Sequence, residues 1–270
     1  MSAIEILESL PESRIRIEAA LFDFDGTIST LRQGWETVMR PLMIEMISGP
    51  YPPDDNLVRE VEEYIDESTG IQTIFQMQWL AEAVKRYGRN PKVHDPWWYK
   101  AEYNRRLMNM IEGRIKALEE GEQKPEDYMI CGIRDFLEAL RARGIKLFVA
   151  SGTDHPDVVR EVKALGLANY FTEIAGAPLG QASCSKEAVL RRLITERGLC
   201  GQQLLVVGDG KVEIGLGREV GAVTLGAATD EINRRGINEV KRRRLMKAGA
   251  HAIVGDFADY KDILRWLKLL

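Results

Sequence analysis

The chain has 270 residues, 45% of them hydrophobic and 29% charged, a balance that supports one large or two modest packed domains and excludes disorder. A formal net charge of -4 gives nucleic acid no electrostatic foothold, so an anionic ligand would need locally placed cations. Three cysteines (Cys131, Cys184, Cys200) without a CxxC pair, and three histidines, exclude a disulfide framework and a zinc cluster.

The N-terminal stretch carries Glu5, Glu8 and Glu12 and does not read as a secretory signal. No apolar run approaches the roughly 18 residues that a membrane span needs, so neither a membrane nor nucleic acid is an expected partner, and the expected location is the cytoplasm. Residues 15–24 (IRIEAALFDF) are short, apolar and flanked by charge, the pattern of a buried strand, and they run into Asp25-Gly26-Thr27. From about residue 30 to residue 127 no strand pattern occurs. Apolar residues recur at helical spacing in 56–66, 71–87 and 98–120, broken at Gly49-Pro50, Pro52-Pro53, Asn90-Pro91 and Pro125. The segment reads as an all-helical insert over 30–124, with junctions near Ile28–Arg32 and Gly121–Pro125. It leaves 1–29 and 125–270 as the main domain.

That domain alternates strands and helices. A helix is expected over 133–143, a strand over 144–152 ending in Ser151-Gly152, and a helix over 156–165 with Pro156 in its first turn. A helix over 185–197, a strand over 203–210, and two short strands at 221–226 and 250–255 follow. Such alternation predicts βαβ units: an α/β fold with a Rossmann-like parallel sheet, helices on both faces and the helical insert. In these sheets ligands bind beyond the carboxyl ends of the strands, which is where the polar residues ending the predicted strands lie.

Four stretches can carry chemistry. On a strand Asp23 and Asp25 point the same way, and two such close carboxylates call for a cation or a shared proton. Mg²⁺ suits them as a hard, oxygen-seeking ion. An acidic turn is the bland alternative, and an EF-hand is excluded because the glycine comes too early. Ser151-Gly152-Thr153 offers a hydroxyl and an uncrowded amide to phosphate oxygens, or is simply a turn. Lys186 starts a helix, where its charge opposes the dipole unless an anion is near, or it is a solvated lysine. Asp209 lies between Gly208 and Gly210 with Glu213 four positions on, and either reaches a metal or caps a turn. Gly215-Leu216-Gly217 lies past the turn and does not fit a dinucleotide fingerprint.

Taken together and in this order, Asp23-Phe24-Asp25-Gly26-Thr27, Ser151, Lys186 and Gly208-Asp209-Gly210-Lys211-Val212-Glu213 resemble the four motifs of the haloacid dehalogenase-like superfamily. The insert is similar to the cap those proteins carry between the first and second motifs. Glu213 departs from the aspartate that many relatives have there. The resemblance implies a Mg²⁺-dependent phosphoric monoester hydrolase acting on a small phosphorylated metabolite, a sugar phosphate or a nucleotide. Asp23 would be the nucleophile and Asp25 the acid and base. Ser151, Gly152 and Lys186 would hold the phosphoryl oxygens, and Asp23, Asp25 (through its carbonyl), Asp209 and Glu213 would form the metal set. A phosphomutase or a non-catalytic binding protein is the alternative. Arg32, Trp35, Glu36, Asp154 and His155 are candidates for the cleft lining. Trp97-Trp98-Tyr99 reads as insert core or an interface, and the basic run Lys241–Arg244 as a solvated helix face.

Overall fold

The computed structural model describes residues 4–10, 16–183, 185–196 and 198–270. Cys184 lies outside them, as do Ile15 and Arg197 at the ends of two expected elements. Cys131 and Cys200 are free thiols.

The strands are β1 (Ile4–Ile6), β2 (Ala19–Phe22), β3 (Lys146–Asp154), β4 (Glu173–Ala177), β5 (Leu204–Gly208), β6 (Val223–Ala227) and β7 (Ala252–Val254). They form one sheet in the order β1-β7-β6-β5-β2-β3-β4. All neighbours pair in parallel except β1, which runs antiparallel to β7. The sheet is therefore mixed at one edge rather than wholly parallel. β1, only three residues long, and β4, which contains a glycine, are too short and too weakly apolar to read as strands in the sequence.

Period-two alternation sorts the core into two layers. Ala20, Phe22, Leu147, Val149, Leu205 and Val207 pack on one face, against α5 (Ile133–Arg141), α6 (His155–Ala164) and α10 (Tyr260–Trp266). Ala19, Leu21, Phe148, Ala150, Leu204 and Val206 pack on the other, against α7 (Ser185–Thr195). α8 (Lys211–Glu219) and α9 (Glu239–Lys247) close that second face through Ile214 and Leu245. Chain order reverses beside β2. The path goes outward through β3 and β4, then crosses back to β5 and continues to β7. The carboxyl ends of β2, β3 and β5 thus meet at the topological switch point.

Between β2 and β3 come four helices: α1 (Glu36–Ser48), α2 (Asp55–Glu67), α3 (Thr73–Tyr87) and α4 (Pro96–Glu119). Asp54 caps α2 by accepting from Leu57 N–H, and Asp95 caps α4 by accepting from Trp97 and Trp98 N–H. Pro96 opens α4, where its missing N–H costs nothing. Tyr99 is fully buried, whereas Trp97 and Trp98 are exposed. The two connectors to this unit run side by side. Thr30 N–H donates to Tyr128 O, Ile130 N–H donates to Ile28 O, and Ser29 bridges Met129. Among the described residues no helix is long and apolar enough to cross a membrane.

Candidate active site

Asp23 follows β2 and is 5% exposed. Asp209 follows β5 and Glu213 lies in the first turn of α8, both buried. Carboxylate oxygens of these three residues all lie within 4.8 Å of one another. Lys186, 2% exposed at the start of α7, enters the group from the side, with its Nζ 2.8 Å from Asp23 Oδ1 and 2.8 Å from Glu213 Oε2. Glu213 Oε1 also accepts from Gly210 N–H. Glycine is required twice here. Gly26 has φ +75°, and a Cβ on it would collide with the Asp209 carboxylate; a Cβ on Gly208 would collide with Glu213.

Charge in this group is unbalanced. Burial pushes the Asp23 carboxyl well above its usual range; Lys186 pulls it down, while Glu213 and Asp209 push it up again. Burial would discharge Lys186, but Asp23 and Glu213 outweigh it and hold the ammonium charged. Three carboxylates around one ammonium, all offering hard oxygen donors, fit a divalent cation of the Mg²⁺ type.

Asp25 is turned away from that cluster. Its Oδ2 accepts from the hydroxyls of Ser151 (3.0 Å) and Thr153 (2.9 Å), both near the end of β3. Its Oδ1 is buried and makes no hydrogen bond among the described residues. Arg32 Nε lies 3.8 Å from Oδ1. Arg32 is 8% exposed and held by Glu161 of α6, with Nη2 2.6 Å from Oε1, and by Asp157 at 3.3 Å. Burial pushes the Glu161 carboxyl up to about 7 despite the pull of Arg32.

The basic run on α9 is a correction to the sequence reading. Lys241 is 9% exposed, and its Nζ lies 2.7 Å from Asp209 Oδ2 and 2.5 Å from Glu231 Oε1. Arg244 donates to the Asp209 carbonyl at 3.1 Å. Burial would raise the Asp209 carboxyl, but Lys241 and then Arg244 overcome it, and Asp209 stays below its usual range. A run of four cations on a surface helix gives no local sign of this. Its one clue is the i,i+4 pair Lys241 and Leu245, both buried on one face.

Residues of the helical unit roof the cavity over Asp23 and Asp25. Gly70 O accepts from Lys186 Nζ at 3.3 Å, and Ile71, Gln76, Tyr103 and Leu107 line the space with Arg32 and Trp35. Gly152 leaves room for this loop, since a Cβ there would stand 2.8 Å from Ile71 O. Gln72 clasps the far side by donating to Gln181 O and accepting from Ser183 N–H. Asp154 is bound by Lys100 and Asn104 of α4. His155 is exposed and accepts from Gly176 N–H, and Glu36 borders a neighbouring cavity, so these three do not line the space. Asp23, Asp25, Ser151, Gly152, Lys186 and Asp209 all line it, with Glu213 just behind Lys186.

Residues 20–227 match a family model described as haloacid dehalogenase-like hydrolase. The chain is 25% identical over 211 residues to a phosphoglycolate phosphatase of Synechococcus elongatus, covering 77% of this chain and 82% of that one. A crystal structure of a predicted phosphoglycolate phosphatase from Haemophilus somnus superimposes with a TM-score of 0.62 at 19% identity, covering 92% of this chain and 97% of that one. A β-phosphoglucomutase from Clostridium difficile does so with a TM-score of 0.62 at 16% identity, covering 93% and 97%.

Proposed function

Because the chain belongs to the haloacid dehalogenase-like hydrolases and is a phosphatase among them, we propose that it hydrolyses a small phosphorylated metabolite, a sugar phosphate or a nucleotide, through an aspartyl-phosphate on Asp23. One observation carries this reading: a buried trio of carboxylates, two of them bridged by a buried lysine, at the carboxyl ends of adjacent central strands and open to a cavity.

An Asp23 carboxylate oxygen attacks phosphorus and the bond to the leaving oxygen breaks. Asp25 gives that oxygen a proton. Its Oδ1, buried without a hydrogen bond, is the atom to carry it, while Ser151 and Thr153 fix the ring of contacts around Oδ2. Asp25 then takes a proton from the water that attacks the phosphoaspartate, and phosphate leaves with Asp23 restored. Lys186, Ser151 and the Gly152 amide hold the phosphoryl oxygens, and Lys186 also orients Asp23. Mg²⁺ would be held by the Asp23 and Asp209 carboxylates and the Asp25 carbonyl, with Glu213 ligating or orienting water beside it. When bound it supplies positive charge against the developing negative charge of the phosphoryl group. Residues 30–124 act as the cap over a core of 1–29 and 125–270, supported by the paired connectors and by the residues this unit sets over the cavity. The free thiols Cys131 and Cys200 suit a cytoplasmic location.

Hydrolysis of a chromogenic phosphate ester tests the reading. Activity is expected with Mg²⁺, is lost with EDTA, and falls by about 10⁴-fold or more in Asp23→Asn. A wild type as inactive as the variant across a broad ester panel would remove it. An isomeric phosphate ester in place of inorganic phosphate would make the protein a phosphomutase instead.

A further inference from the structure

We propose that this site accepts a neutral, hydroxyl-bearing leaving group and disfavours substrates with a second anion, a carboxylate or another phosphate, beyond the scissile ester. The inference rests on the phosphatase reading and narrows it. Among the described residues two cations line the cavity, Lys186 and Arg32. Lys186 is committed to Asp23 and Glu213 at the phosphoryl end. Arg32 is the cation that a second anion would have to use, and it faces three carboxylates: Glu161 at 2.6 Å, Asp157 at 3.3 Å and Asp25 at 3.8 Å. Even with Asp25 protonated to serve as acid and Glu161, pushed up to about 7, only partly charged near neutral pH, Asp157 and the remaining Glu161 charge leave Arg32 no surplus positive charge. An incoming carboxylate would meet like charge in a place shielded from water, where repulsion is strong.

The neutral groups tell the same story from the other side. Tyr103 is 4% exposed and lines the cavity, and its hydroxyl makes no hydrogen bond among the described residues. Burial keeps that hydroxyl protonated. The Thr73 hydroxyl, the Gln33 amide and the Trp35 indole N–H also line the cavity, and none makes a side-chain hydrogen bond among the described residues. These groups open on the cavity, where a ligand can take up their hydrogen bonds. Uncharged donors and acceptors beside an aromatic face match alcohol groups on a carbon skeleton.

Matched substrates test this with the full chain and Mg²⁺. Glycerol 3-phosphate and 3-phosphoglycerate differ by a CH₂OH against a carboxylate, and glucose 6-phosphate and glucose 1,6-bisphosphate differ by one phosphate. The neutral member of each pair is expected to have a kcat/KM at least about tenfold higher. Asp157→Asn and Glu161→Gln, which release Arg32, should each shift that ratio toward the anionic member by about tenfold. Asp157 is partly exposed, so its variant serves should the buried one fail to fold. Equal or better turnover of the anionic members, or a ratio that neither variant moves, overturns the proposal and leaves the phosphatase standing. No phosphate release from any ester would remove both.

Discussion

The sheet and the helical unit face one another across the same cavity with opposite kinds of chemistry. On the sheet side, Asp23, Asp209, Glu213 and Lys186 are buried and clustered, with Lys186 in ion-pair range of Asp23 and Glu213, and Asp209 paired instead with Lys241. On the helical side stand Tyr103, Gln76, Ile71 and Leu107, uncharged, with Arg32 neutralised from behind by α6. On the proposed reading, charge is placed where bonds break, and neutrality where the rest of the substrate lies. The difference teaches that one cavity separates reaction from selection by wall, and each wall can be altered without rebuilding the other.

The sharpest way to break that division is Lys186→Met. It leaves Asp23 and Glu213 buried without their shared cation. Turnover should fall by about 10²–10³-fold, and stability without added metal by about 3–5 kcal/mol. Phosphate release and urea unfolding measure the two. A loss confined to KM would mean that Lys186 only binds substrate. Across the cavity, Tyr103→Phe should lower kcat/KM for a neutral sugar phosphate by about tenfold at most, the scale of one hydrogen bond. Because the hydroxyl opens on the cavity and gives up no hydrogen bond among the described residues, the melting temperature should hold or rise. A marked drop would place Tyr103 in the structural core instead.

The smallest expected effect is a slope. Folding raises the Glu161 carboxyl from its usual 4.5 to about 7. A raised value means that the folded state holds the proton more tightly. The contribution to stability is therefore complete below pH 4.5 and is lost as pH climbs through 7. Denaturant midpoints of wild type should decline over that window relative to Glu161→Gln. Parallel curves would show that Arg32 fully compensates the burial of Glu161.

Much of the sheet side was legible before any coordinates. Asp23, Ser151 and Asp209 stand at the ends of short apolar runs, and parallel topology brings such ends together. The helical side was not. Tyr103 sits in the first half of α4, at a spacing that marks it as core, and only the docking of α4 against α6 and Asp154 gives its hydroxyl a cavity. Lys241 was hidden for a similar reason. A charge on a short polar helix reads as solvated until tertiary contact sets it against Asp209. Asp154 shows the converse, since a polar residue beside the second motif proved to be a tie to Lys100 rather than a lining group. Local pattern reports which way a strand ends, but not which helix lands on it.

The rungs between 28–30 and 128–130 have an evolutionary corollary. The chain leaves the sheet and returns to it at almost the same point, so the helical unit is joined to the sheet through one paired stem. Recombination at that stem could exchange one roof for another, giving the same catalytic floor a new diet.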